Sequence, residues 1–185
     1  MLLQQAGFEF EAVAPSVGAE CGVCSQESPP ELVARLAHQK AGDVARRLKT
    51  RPGQPEAVVV GCDTVAECLG QILGKPKDRA HARQMLELLS GREHHVYSGL
   101  CLWTHPRDET HVSVETTTLR MDRLSKANIE EYLASGEWQD KAGAFGYQDR
   151  PGWLHIEAGS ESNVIGLPLE LLQRMLLELP GHLAE

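Results

Sequence analysis

A mixed α/β fold is what this sequence predicts. β-Branched runs alternate with amphipathic helical stretches, two strand-like runs follow one another with no helix between them, and Gly, Pro or Ser marks most changes of pattern. Two adjacent strands rule out a purely parallel, doubly wound sheet. At 185 residues and 42% hydrophobic, the chain suffices for one sizeable core and predicts a single domain spanning 1–185.

The elements follow in order. Ser28-Pro29-Pro30-Glu31 reads as a helix start, with Ser28 as N-cap, Pro29 in the first turn and Glu31 completing a capping box, and the helix is expected to run to about Leu48. Positions 32, 36, 40, 44 and 48 are Leu, Leu, Lys, Val and Leu, so Lys40 stands inside the apolar stripe. Either its stem is buried while the ammonium snorkels to water, or the ammonium is aimed into a cleft. After the Thr50–Pro55 turn, Ala57-Val58-Val59-Val60 reads as a short buried strand ending at Gly61-Cys62-Asp63-Thr64. That places Asp63 just beyond a strand end, where open α/β sheets carry ligands.

Asp78 is expected to cap a helix from Arg79 to Leu89, stopped by Ser90-Gly91. Strands follow near Val96–Trp103 and Val112–Leu119, the second alternating at Val112, Val114 and Thr116, with a polar turn at Thr104–Thr110. Ser125 caps a helix through Leu133 that Gly136 closes. The glycine-rich stretch Ala142–Gln148 reads as a loop bringing backbone close to a ligand. A short strand at Trp153–Ile156, a Gly159–Gly166 connection and a leucine-rich final helix complete the chain.

Composition excludes several functions. Eighteen basic against twenty-six acidic residues give a net charge of −8, which repels a nucleic-acid polymer but not a small phosphorylated ligand held by a few local cations. The N-terminus lacks the basic and apolar regions of a signal peptide, and the Leu167–Leu179 tail is shorter than a membrane span, so a cytoplasmic location with no membrane partner is expected. Cys21, Cys24, Cys62, Cys68 and Cys101 are odd in number, against a disulfide framework, and Cys21-Gly22-Val23-Cys24 has no second ligand pair and reads as a loop. His94 and His95, adjacent on a strand, point to opposite faces and read as structural. Neither a Walker loop, a nucleophile elbow nor a dinucleotide fingerprint is present.

Nine segments, in order, resemble the Maf family: Leu36-Ala37-His38-Gln39-Lys40-Ala41, Gly61-Cys62-Asp63-Thr64-Val65, Gly74-Lys75-Pro76, Met85–Gly91, His95–Gly99, Val114-Glu115-Thr116, Ser135-Gly136-Glu137, Asp140–Gln148 and Val164–Pro168. The resemblance covers nearly the whole chain. It implies an elongated, two-lobed α/β fold related to the inosine triphosphatases, with a nucleotide cleft between lobes, and a homodimer. The reaction it implies is hydrolysis of a nucleoside triphosphate to monophosphate and pyrophosphate with a divalent cation, Mg²⁺ or Mn²⁺.

That chemistry accounts for the residue types at the matching positions. A triphosphate needs charge neutralisation, which Lys40, Lys75 and Lys141 match family positions to supply. Asp63 matches the proton acceptor that also shares the metal, and Glu20 corresponds to a second acidic metal ligand. Thr64 and Gln148 resemble the branch that prefers dTTP and UTP, although Tyr147 stands where the family usually has Ile. Two other readings compete. One is a nucleotide-binding or cell-division protein of the same fold without turnover, and the other an inosine or xanthosine triphosphate pyrophosphatase. The family opens with a strand, Ser-x-Ser-Pro-Arg-Arg and a Leu-Leu-x-x-x-Gly helix, and this chain opens at Met1-Leu2-Leu3-Gln4-Gln5-Ala6-Gly7, inside that helix. The resemblance therefore leads us to expect a longer product, with the arginine pair encoded upstream of Met1.

Overall fold

The computed structural model describes residues 2–16, 18, 27–49, 56–149 and 152–179. Their elements are α1 (Leu2–Gln5), α2 (Pro29–Lys49), β1 (Ala57–Cys68), β2 (Gln71–Leu73), α3 (Arg79–Leu89), β3 (Glu93–His105), β4 (Thr110–Met121), α4 (Lys126–Ser135), a 3-10 turn (Ala142–Ala144), β5 (Leu154–Ala158), α5 (Glu161–Ile165) and α6 (Leu169–Glu178). The strands form one sheet in the order β2-β1-β3-β4-β5, with β1–β2 and β4–β5 antiparallel. This is the α/β class expected. Among the described residues no helix is long and apolar enough to cross a membrane.

The chain divides into two compact units. The first comprises residues 1–63, 98–115 and 166–185 and the second residues 64–97 and 116–165. In the first unit, alternation along β3 sorts its side chains between two helices. Leu100 and Leu102 pack with Leu171, Leu172 and Met175 of α6, whereas Cys101 packs with Ala37 and Ala41 of α2. α2 begins as anticipated. The Ser28 backbone N–H and hydroxyl both donate to Glu31, at 2.9 and 2.6 Å. Leu32, Leu36 and Val44 of its predicted stripe are buried.

In the second unit, Met85, Leu86 and Leu89 of α3, Leu119 and Met121 of β4, and Ile129, Tyr132 and Leu133 of α4 surround a core closed by Phe145 and Leu154. Tyr132 and Phe145 have ring centroids 5.1 Å apart, and Trp153 stands about as close to both, at 6.1 and 6.0 Å. The caps are those expected. The Asp78 side chain accepts from the His81 N–H, Ser125 and Asn128 form a capping box, and Gly136 closes α4 in the left-handed region at φ 77°.

Several boundaries differ from expectation. β1 does not end at Gly61 but continues to Cys68, because Thr64-Val65-Ala66-Glu67-Cys68 remains strand-forming and pairs with β2. Nor are Ala57–Val60 fully buried, since Val60 is exposed. β2 was unanticipated. It follows a two-residue turn, Leu69-Gly70, with φ of 53° and 78°, the primed-turn geometry that suits strand twist. On β4 the buried alternation has the opposite parity, at Thr117, Leu119 and Met121, while Val112 is exposed. The Gly159–Gly166 connection contains α5.

Candidate active site

Asp63 lies within β1 and not beyond its end. Its partner comes from α2, where Lys40 Nζ donates to Asp63 Oδ1 at 2.6 Å and to the Cys62 carbonyl oxygen at 3.2 Å. Both side chains are largely covered, 23% exposed for Lys40 and 15% for Asp63. A lysine on a buried stripe thus meets a carboxylate on the strand beneath it. Close approach makes the contact feasible. A Cβ on Gly61 would fall on the Ala37 carbonyl oxygen and 2.9 Å from Ala41 Cβ, and one on Gly99 of β3 would fall on the Val33 carbonyl. Hydrogen alone at both positions lets α2 lie against the sheet.

Thr64 follows Asp63 on the same strand, half-buried, and alternation turns it to the opposite face. Lys75 is exposed on the turn between β2 and α3. That turn is tied to the glycine-rich loop, since the Gly143 N–H donates to the Gly74 carbonyl oxygen at 3.1 Å. Gly143 adopts φ 68° there. The structure thereby joins the backbones of the Lys75 and Lys141 segments within one unit.

Lys141 does not pair with its neighbour Asp140. Its Nζ lies 2.5 Å from each carboxylate oxygen of Asp149. The same carboxylate accepts from the Tyr132 hydroxyl at 2.6 Å and from the Gly146 N–H at 2.9 Å. Burial, and then the hydrogen bond to Asp149, push the Tyr132 hydroxyl pKa above its ordinary value, so the phenol stays a donor. Gln148 is exposed at the end of this loop. Asp149 and Tyr132 escaped sequence reading. The available signal was Tyr132 on the apolar face of α4, since a buried tyrosine hydroxyl requires a partner.

Glu20, Cys21 and Cys24 lie outside the described residues. Cys68 and Cys101 are free thiols, and the Cys62 thiol donates to the Gly166 carbonyl oxygen at 3.4 Å. His94 is buried and His95 faces Glu67 at 3.3 Å, so the two histidines do take separate environments.

A family profile described as Maf-like protein matches residues 1–179. Among curated relatives, a dTTP/UTP pyrophosphatase of Rhodopirellula baltica is 49% identical over 176 residues, covering 95% of this chain and 75% of the relative. A dTTP/UTP pyrophosphatase of Symbiobacterium thermophilum is 42% identical over 178 residues, covering 96% and 87%. One from Dictyoglomus thermophilum is 38% identical over 180 residues, covering 96% and 89%.

Proposed function

Because the chain belongs to the Maf-like family, we propose that it hydrolyses nucleoside triphosphates, dTTP and UTP foremost, to the monophosphate and pyrophosphate. The observation that carries this reading is the Lys40–Asp63 pair, a strand-borne carboxylate held by an inward-facing ammonium in a member of that family. In this reading Asp63 accepts the proton of the attacking water. Lys40, which also holds Asp63, neutralises phosphate charge together with Lys75 and Lys141, and Thr64 and Gln148 contact the base or sugar.

A divalent cation, Mg²⁺ or Mn²⁺, belongs to the same reading. A hard cation of this kind is commonly bound by one or two carboxylates together with the substrate's phosphates, so Asp63 suits it by donor chemistry without a preformed cage. When bound, the cation would neutralise phosphate charge and polarise the phosphoryl group under attack. The reading extends to a cytoplasmic homodimer, which light scattering after size-exclusion chromatography tests for its oligomeric part.

The test is a panel of nucleoside triphosphates with Mg²⁺, scored for pyrophosphate against orthophosphate. Pyrophosphate release led by dTTP and UTP is expected. A panel led by inosine triphosphate or 7-methyl-GTP would overturn the base preference, and no turnover would overturn the enzyme. Asp63→Asn, nearly isosteric but unable to act as a base at neutral pH, is expected to lower kcat by about 10²-fold or more while the protein stays folded. An Asp63→Asn protein with wild-type kcat would remove Asp63 from the mechanism.

A further inference from the structure

We propose that Asp149 is a positioning residue for triphosphate binding: it holds the Lys141 ammonium and the Gly146 backbone in one fixed arrangement before substrate arrives. The proposal deepens the pyrophosphatase reading and rests on Lys141 as a phosphate ligand. Three donors converge on the Asp149 carboxylate: Lys141 Nζ, the Tyr132 hydroxyl and the Gly146 N–H. Two of them are immobile. Tyr132 is fully buried and packed against Phe145 and Trp153, and the Gly146 N–H belongs to a backbone turn closed by the Asp149 N–H on the Gly146 carbonyl oxygen at 3.1 Å. The Asp149 side chain, 13% exposed, is therefore anchored independently of the lysine.

Lys141 is the member with the most freedom to lose. A lysine side chain is a flexible stem carrying a point charge, and holding it in place costs conformational entropy. Here that ordering is complete in the folded chain. The Lys141 side chain is one-third exposed, and of the three ammonium hydrogens the carboxylate occupies at most two, which leaves a donor for a phosphate oxygen. The arrangement also accounts for glycine at 146. A Cβ there would stand 2.7 and 2.9 Å from the Asp149 carboxylate oxygens. Gly146 and Asp149 are thus sterically matched across the loop that leads to Gln148.

The experiment is a double-mutant cycle on dTTP hydrolysis with Asp149→Asn, Lys141→Met and the pair, reading KM, kcat and thermal midpoint together. Asp149→Asn keeps the shape and an acceptor for Tyr132 but loses the charge that holds Lys141. A KM increase of about tenfold is expected, the scale of one charge-assisted hydrogen bond, with kcat within about twofold. The double variant should be no worse than Lys141→Met alone, because Asp149 acts through Lys141. Losses that multiply, or a fall in kcat with KM unchanged, would overturn the proposal. So would an effect of Lys141→Met with none of Asp149→Asn, and in that case Lys141 keeps its assigned role. If Lys141→Met leaves KM unchanged, the reading of Lys141 fails and the proposal with it. Should Asp149→Asn fail to fold, Tyr132→Phe, which keeps the ring and deletes one anchor, carries the same cycle. There a KM rise that vanishes in the Lys141→Met background supports the proposal, and one that persists overturns it.

Discussion

A buried ionisable side chain must either find an opposite charge or give up its own. Lys40 takes the first course through Asp63. His94 takes the second. It is 3% exposed in β3, and burial holds its pKa below the ordinary 6.5. The folded chain therefore resists a proton that the unfolded chain accepts once pH falls below about 6.5, so its contribution to stability is intact above that pH and is lost on acidification. We expect His94→Gln to flatten the melting temperature between pH 7 and pH 5 relative to the parent. Curves that fall in parallel would assign acid sensitivity to other groups. The thiols follow the same physics, since burial pushes Cys101 up to about 11 and raises Cys68. Neither is a useful nucleophile at neutral pH, because the thiolate is the reactive form.

Between elements, the approach of α2 to the sheet decides whether Lys40 and Asp63 meet at all. Gly61→Ala introduces a Cβ where the Ala37 carbonyl and Ala41 already stand, so the helix must move away. The expected loss is about 1–3 kcal/mol of stability, as for other overpacked sites, with activity reduced further because the shifted helix carries Lys40. Gly74→Ala is the stability control, since nothing lies within 4 Å of a Cβ there. Equal melting temperatures for the two variants would refute the steric argument.

The same region shows what sequence can carry. The i, i+4 stripe placed Lys40 on the inner face of α2, and capping chemistry fixed the starts of α3 and α4. Those are local properties. By sequence Gly61 looks like the end of a strand because glycine usually interrupts one, whereas its role is set by a helix about twenty residues earlier in the chain. The parity of β4 is not legible in the sequence for a related reason. Val112 and Val114 look like the core face, yet it is Thr117, Leu119 and Met121 that are buried, because the packing partners of the strand decide which face is inside. Asp149 was invisible because its significance lies in three donors brought to it by the folded loop.

Across the whole molecule, a net charge of −8 sets a test of how the proposed substrate is held. A triphosphate of about four negative charges is repelled by the molecule's overall field, so in this reading affinity must come from a few cations at contact distance. Salt separates the two contributions. Repulsion from distant carboxylates acts through solvent and is screened beyond a Debye length of about 10 Å at 0.1 M, while ammonium–phosphate contacts weaken as added anions compete for the lysines. If Lys40, Lys75 and Lys141 dominate, KM for dTTP at saturating Mg²⁺ should rise several-fold between about 0.05 and 0.5 M KCl, and Lys141→Met should blunt the rise. If the overall field dominates, KM should instead fall with salt, because screening removes the repulsion first. A falling KM, or a rise that Lys141→Met leaves untouched, would mean that the lysines assigned here do not carry the phosphates, and the search for the phosphate-binding groups would have to begin elsewhere in the chain.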